Sequence, residues 1–204
     1  MSVQIKPKIT DADLLALGDV RAEVIDGQLV IDMTPNKMDH TLYGLQLGTY
    51  LNIFVRLRNL GWVGGDMTAF KLDESAEAGI KGALVPDVYF ISYNRLPPDA
   101  DIEIVPTFAP DLAVEIISES ETHTNVLKKV GEYLSHGTAQ VWHVIPALRQ
   151  VHVFSPANRA GTILGDTDTL TGGDLLPGFA IPVRALFDLA DSALHGETLR
   201  RLIP

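Results

Sequence analysis

The chain has 204 residues, 46% of them apolar and 21% charged, a balance that supports one sizeable core, expected here as one domain over residues 1–204, and excludes wholesale disorder. A formal charge of −10 excludes a nonspecific nucleic-acid coat, because such binding relies on cationic side chains neutralising phosphates, yet it allows a basic stripe on one face. With no cysteine there is no disulfide, thiolate metal site or cysteine nucleophile, and a reducing, cytoplasmic setting is expected.

Met1 to Lys6 contain no apolar stretch of the signal-peptide kind, and no apolar run approaches the ~20 residues of a membrane helix. Thr10 or Asp11 caps a short helix carrying Leu14, Leu15 and Leu17, which Gly18 ends. Asp26-Gly27 sits between two β-rich runs and suits a tight hairpin turn; Pro35 and Asn36 then break the chain. Residues 40–57 read as a long amphipathic helix with Leu42, Leu45, Leu47, Leu51, Phe54 and Val55 recurring at helical spacing. Short strands follow near 61–63 and 68–72, and the polar, Gly-bearing segment 73–82 reads as a loop. Residues 85–91 form a strand entered through Pro86. Residues 111–117 are apolar almost throughout, as in a central strand covered on both faces. Residues 124–136 form a helix with the inward stripe Val126, Val130, Tyr133 and Leu134. Strands at 140–145 and 151–154 make a hairpin, and an apolar helix is expected near 183–189. Strands and helices mixed in this way predict an α/β (α+β) fold, a mixed central sheet flanked by helices. Arg56, Arg58, Lys71, Lys81, Lys128 and Lys129 are the candidates for a basic stripe.

The chemistry rests on charges placed where charges are costly. Along an extended strand Leu112, Val114 and Ile116 share one face while Ala113, Glu115 and Ile117 share the other. Glu115 therefore lies inside an apolar run and needs a cation, a hydrogen-bond network or an open cleft. Asp87, 28 residues earlier, opens another apolar strand, and a divalent cation is one way to bring two carboxylates together. Mg²⁺ prefers one or two carboxylates with waters and substrate phosphate. Lys129 lies three residues after Val126 and four before Tyr133, beside the inward stripe, whereas Lys128 turns about 100° further towards solvent. Asp, Glu and Lys around one metal and one water suit phosphodiester hydrolysis. The same three charges also describe a structural ion-pair network, which is the commoner case for buried charges.

Taken in order, Glu23-Val24-Ile25-Asp26-Gly27, His40 heading the long helix, Pro86-Asp87, Asp111 through Ser118, Lys129 through Tyr133, Gly137 to Trp142 and Leu176-Pro177-Gly178-Phe179 resemble the Uma2 family of the PD-(D/E)XK restriction-endonuclease-like superfamily. The resemblance covers about residues 10–189. It implies a restriction-endonuclease-like fold and a Mg²⁺- or Mn²⁺-dependent DNA endonuclease. It also implies Asp87, Glu115 and the backbone carbonyl of Ile116 as metal ligands, Lys129 as the catalytic lysine and Glu23 as an auxiliary acid. The superfamily's usual lysine position, two residues after the acid, holds Ile117 here, and the helix lysine takes its place. Two departures point to an attenuated enzyme: Asn125 stands where an acid is expected, and Glu119 where proline is expected.

His40 is either a partner of the site or a polar helix-start residue. The other histidines lack paired zinc-ligand spacing, Ser118 is in no nucleophile elbow, and no phosphate-binding Gly-rich loop occurs. Trp62 and Trp142 read as core anchors. The alternative function, of a different class, is a catalytically silent scaffold acting as a dimeric binding module. A homodimer suits either reading, because two-fold symmetry matches the two strands of a duplex.

Overall fold

The structure, a computed structural model, describes residues 8–18, 20–31, 37–65, 67–75, 77, 79–118 and 122–203. The expected break at Pro35-Asn36 and the departure at Glu119 lie outside them.

The first helix, α1 (Asp11–Leu15), is capped as its sequence predicts: the Thr10 hydroxyl accepts from the Asp13 N–H while the Asp13 carboxylate accepts from the Thr10 N–H. Strands β1 (Ala22–Ile25) and β2 (Gln28–Ile31) form the hairpin around Asp26-Gly27. Both turn residues have positive φ, 53° and 70°, which the Asp-Gly pair tolerates at small cost. The long helix α2 (Met38–Leu57) follows, then β3 (Gly61–Gly65), β4 (Phe70–Ser75), β5 (Gly79–Leu84), β6 (Val88–Ser92) and β7 (Leu112–Ile116). Helix α3 (His123–Ser135) leads into β8 (Gln140–Ile145), β9 (Gln150–Ser155), β10 (Asn158–Leu164), β11 (Thr169–Gly172), β12 (Leu176–Pro182) and the last helix α4 (Ser192–Leu202).

Six strands make the central sheet in the order β10-β9-β8-β7-β6-β3, and β7–β8 is its parallel pair. That pair needs a crossover connection, which α3 provides. A second sheet has the order β2-β1-β5-β4, and β11–β12 form a separate antiparallel pair. The strand β7 is buried at all five positions. Its Leu112, Val114 and Ile116 join Leu47, Tyr50, Leu51 and Phe54 of α2 in the main core. Its Ala113 joins Val130, Tyr133 and Leu134 of α3 in the other. Each such aliphatic side chain contributes roughly 1.5–3 kcal/mol on burial. The central sheet is thus covered by α2 on one face and α3 on the other, and Ile25 and Leu84 of the second sheet close over α3's side.

Several elements depart from the sequence reading. Most of segment 73–82 is not loop but the facing ends of β4 and β5, held by pairs such as Asp73 with Gly82 and Ser75 with Gly79. Tertiary pairing overrides the weak β propensity of its Gly, Asp and Glu residues. The apolar stretch near 183–189 makes only a short 3₁₀ turn, Val183–Leu186, and its apolar residues insert into the main core. In α2, Leu42 and Leu45 lie on the exposed side at 38% and 69%, so the buried stripe begins at Leu47. Among the described residues, no helix is long and apolar enough to cross a membrane.

Candidate active site

The site forms where β6 and β7 pair. Val88 lies opposite Val114 in the antiparallel register, so the residues one step outward, Asp87 and Glu115, face each other. The register is fixed at that end by two further bonds: the Asp87 N–H donates to the Val114 carbonyl at 3.0 Å, and the Ile116 N–H donates to Asp87 Oδ2 at 2.6 Å.

Four other elements bring polar groups to this pair. From α3, Lys129 Nζ lies 3.5 Å from Glu115 Oε2 and 2.8 Å from Glu23 Oε2 of β1. Also from α3, one helical turn on, the Tyr133 hydroxyl donates to Glu115 Oε1 at 3.0 Å. The remaining Glu23 oxygen accepts the Val85 N–H at 3.0 Å. From the segment before β1, Arg21 Nη1 lies 2.7 Å from Asp87 Oδ1 and Nη2 lies 3.7 Å from Glu115 Oε2. From the first turn of α2, His40 Nε2 lies 3.0 Å from the Ile116 carbonyl and 3.6 Å from Asp87 Oδ2. Glu23, Asp87, Glu115 and Lys129 are all buried. The structure thus brings Glu23, Asp87, Glu115 and Lys129 together in one cluster with His40 and the Ile116 carbonyl.

Burial governs the electrostatics. It penalises the charged form of Glu115 and lifts its carboxyl to about 8, with Lys129 pulling the other way and the carboxylates of Asp87 and Glu23 adding to the rise. Burial would lower the Lys129 ammonium, but the charges of Glu115 and Glu23 outweigh it and hold Lys129 above its usual range. Arg21 follows the same logic, with Asp87 and then Glu115 outweighing burial. A proton on Glu115 leaves two cations facing the two carboxylates Asp87 and Glu23, a neutral cluster that burial favours.

A cleft of about 460 Å³ opens from this cluster along α2, lined by His40, Thr41, Gly44, Gly48 and Asp87 among others. Small residues on the sheet-facing side of α2 leave this space: a Cβ added at Gly44 would come 4.0 Å from Ile116, and one at Gly48 would come 3.8 Å from Val88.

The Uma2 family model, described as "Putative restriction endonuclease", matches residues 11–184. The chain belongs to the Uma2 family. A crystal structure described as "a putative nuclease belonging to DUF820 from Anabaena variabilis ATCC 29413" superposes with a TM-score of 0.76 at 20% identity, covering 89% of this chain and 98% of that one. Likeness at that identity shows the shared fold. No curated protein matches the chain.

Within this Uma2 fold the Asp87 carboxylate, the Glu115 carboxylate and the Ile116 carbonyl supply hard oxygen donors only. Among the described residues no three His, Asp or Glu side chains converge as a metal cage. A set of two carboxylates and one carbonyl instead suits Mg²⁺, which keeps several waters and takes substrate phosphate. The oxygens also converge: Asp87 Oδ1 and Glu115 Oε2 meet on one guanidinium, and Asp87 Oδ2 and the Ile116 carbonyl meet on one imidazole nitrogen.

Arg21 is the site residue the sequence reading missed. It lies in an irregular segment with no periodicity to mark it, and its one sequence signal is its place two residues before Glu23. The expected basic stripe does not gather at the cleft. Lys71 pairs with Asp11 and Glu74, Lys128 pairs with Asp26, and Arg58 donates to the Leu202 carbonyl and stacks on Phe54. Asn125 is exposed and serves the helix start, its N–H donating to the Thr122 hydroxyl at 3.4 Å.

Proposed function

We propose that this Uma2 protein is a metal-dependent endonuclease that hydrolyses DNA phosphodiester bonds, with Mg²⁺ or Mn²⁺ held by Asp87, Glu115 and the Ile116 carbonyl. The observation that carries this reading is the buried meeting of Asp87 and Glu115 across a strand pair, with the Lys129 ammonium 3.5 Å from Glu115 and with Asp87 and His40 lining an open cleft. When bound, the metal supplies a water of lowered pKa and positive charge at the phosphoryl oxygen.

The protein's own part is positioning and charge. Tyr133 fixes the Glu115 rotamer through its hydroxyl. Glu23 anchors Lys129 at 2.8 Å, so the ammonium is aimed without rotamer search; on this reading Glu23 acts through Lys129 as a positioning residue. Lys129 neutralises the negative charge that develops on the phosphate oxygens during in-line attack. His40 holds the Ile116 carbonyl and lines the cleft along which the nucleic-acid strand lies.

Supercoiled plasmid and single-stranded DNA, incubated with Mg²⁺ or Mn²⁺, test the reading. Wild type is expected to nick the plasmid, while Asp87→Ala, Glu115→Ala and Lys129→Ala lose activity by roughly 100-fold or more. Equal cleavage by all four proteins would overturn the assignment.

One observation favours a silent scaffold instead: Arg21, Tyr133 and Lys129 already engage the carboxylates of Asp87 and Glu115. That reading expects a folded protein that neither binds Mn²⁺ nor cleaves any substrate.

A further inference from the structure

We propose that Arg21 is an internal counter-ion that occupies the metal's carboxylates in the metal-free protein and has to release Asp87 before a divalent cation loads. The inference rests on the nuclease reading of the site and adds its regulation by metal loading.

The geometry singles out Arg21 from the other cation. Lys129 makes its short contact, 2.8 Å, with Glu23 and stands 3.5 Å from Glu115 Oε2. Arg21 makes its short contact with a proposed metal ligand, placing Nη1 2.7 Å from Asp87 Oδ1, while its Nη2 lies 3.7 Å from Glu115 Oε2, so one planar fork reaches towards both carboxylates. The other Asp87 oxygen already accepts the Ile116 N–H at 2.6 Å, which makes Oδ1 the oxygen that Arg21 and an incoming cation contest. A divalent ion bonded to that oxygen at about 2.0–2.1 Å would stand against a fixed like charge. A guanidinium does not give up its proton to relieve the repulsion, so it moves.

It has somewhere to go and something to hold. The Arg21 side chain is 18% exposed, and Nη2 donates to the Val85 carbonyl at 2.6 Å, a neutral acceptor that survives metal entry. The two bonds use different nitrogens, Nη1 for Asp87 and Nη2 for Val85, so one can be released while the other is kept.

Mn²⁺ titration calorimetry on the full chain tests this, comparing wild type, Arg21→Met, Arg21→Lys and Glu115→Gln, with circular dichroism to confirm folding. Arg21→Met is expected to bind Mn²⁺ at least about tenfold more tightly than wild type, and Arg21→Lys, which keeps the charge, to stay within about threefold. A folded Arg21→Met with unchanged or weaker affinity overturns the proposal. If wild type binds and Glu115→Gln does not while Arg21→Met is unchanged, the metal site stands and Arg21 alone falls. Absence of binding in both wild type and Arg21→Met takes down the metal site and this proposal together. Should Arg21→Met fail to fold, nitrogen-15 spectra of the wild-type arginine side chains decide: Mg²⁺ is expected to speed exchange of the Arg21 Nη protons held by Asp87, and protons that stay equally protected at Mg²⁺ saturation overturn the proposal.

Discussion

Asp87 does two jobs with two oxygens, holding Arg21 with one and the Ile116 N–H with the other. Removing it takes one partner from the half-buried Arg21 and leaves the buried Ile116 N–H without its acceptor, so Asp87→Ala is expected to lower stability by about 2 kcal/mol. Urea unfolding in chelator measures this free of any metal contribution. His143 presents the opposite case, a buried polar group with an unpartnered Nε2. Burial, with His152 and Lys129 adding like charge, drops its ring to about 3 from 6.5. The unfolded chain therefore takes up this proton at higher pH than the folded one. The stability owed to the neutral ring is complete above 6.5 and drains away as the pH falls towards 3, by an amount on the order of a few kcal/mol. His143→Leu is expected to match wild type at neutral pH and to flatten the loss of stability between about pH 6.5 and 4, as read from urea midpoints at each pH. Residues of these two kinds differ in how the sequence reveals them. Glu115 was legible because a charge inside an apolar strand has few excuses, and Lys129 because helical phase places it beside the inward stripe. Arg21 and the burial of His143 were not, since both depend on what distant segments bring to the same spot.

At the level of elements, close approach decides which positions bear change. Strand β3 lies against β6 with Gly61 opposite Ser92 and Gly64 opposite Tyr89. A Cβ at Gly61 would sit 2.1 Å from the Ile91 carbonyl oxygen, a backbone atom with nowhere to move, whereas one at Gly64 would meet the Tyr89 ring at 2.2 Å. Gly61→Ala is therefore expected to cost more than Gly64→Ala, the first by roughly 3 kcal/mol or more, because a side chain can turn aside and a strand cannot. Thermal melts of the two variants rank them; equal losses would show that Tyr89 is as fixed as the backbone. The elements that escaped the sequence reading were those stabilised by partners rather than pattern. The β4–β5 pairing carries Asp73, Glu74, Gly79 and Gly82, poor strand formers joined by ladder bonds. Helix α4 did leave a signal, with Asp191 accepting from the Leu194 N–H at its start and Leu194, Thr198 and Leu202 buried at four-residue spacing. Gly196 in its middle, a weak helix former, hid it.

For the whole molecule, the question is how a chain of net charge −10 meets a polyanion. Affinity for a duplex falls with salt at a slope of about 0.9 per phosphate neutralised, so the slope counts the cations that reach the backbone. Lys71, Lys128 and Arg149 are tied to acids on this same chain, and Lys129 is committed to Glu23. With these four cations occupied, the protomer is expected to show a slope of no more than about 2–3 between roughly 50 and 200 mM salt, measured by fluorescence anisotropy of a labelled duplex with Ca²⁺ in place of Mg²⁺. Weak, salt-tolerant binding of this sort puts the burden of substrate capture on the metal and the cleft rather than on a basic surface. We propose a homodimer on the same ground: two clefts related by a two-fold axis would take two strands at once, so modest contacts on each side would add up without any further basic residue. A slope nearer 8 would mean that phosphate pulls the paired lysines off their carboxylates, and the Arg149–Asp166 and Lys128–Asp26 pairs would then be the first to test by charge reversal of the acid.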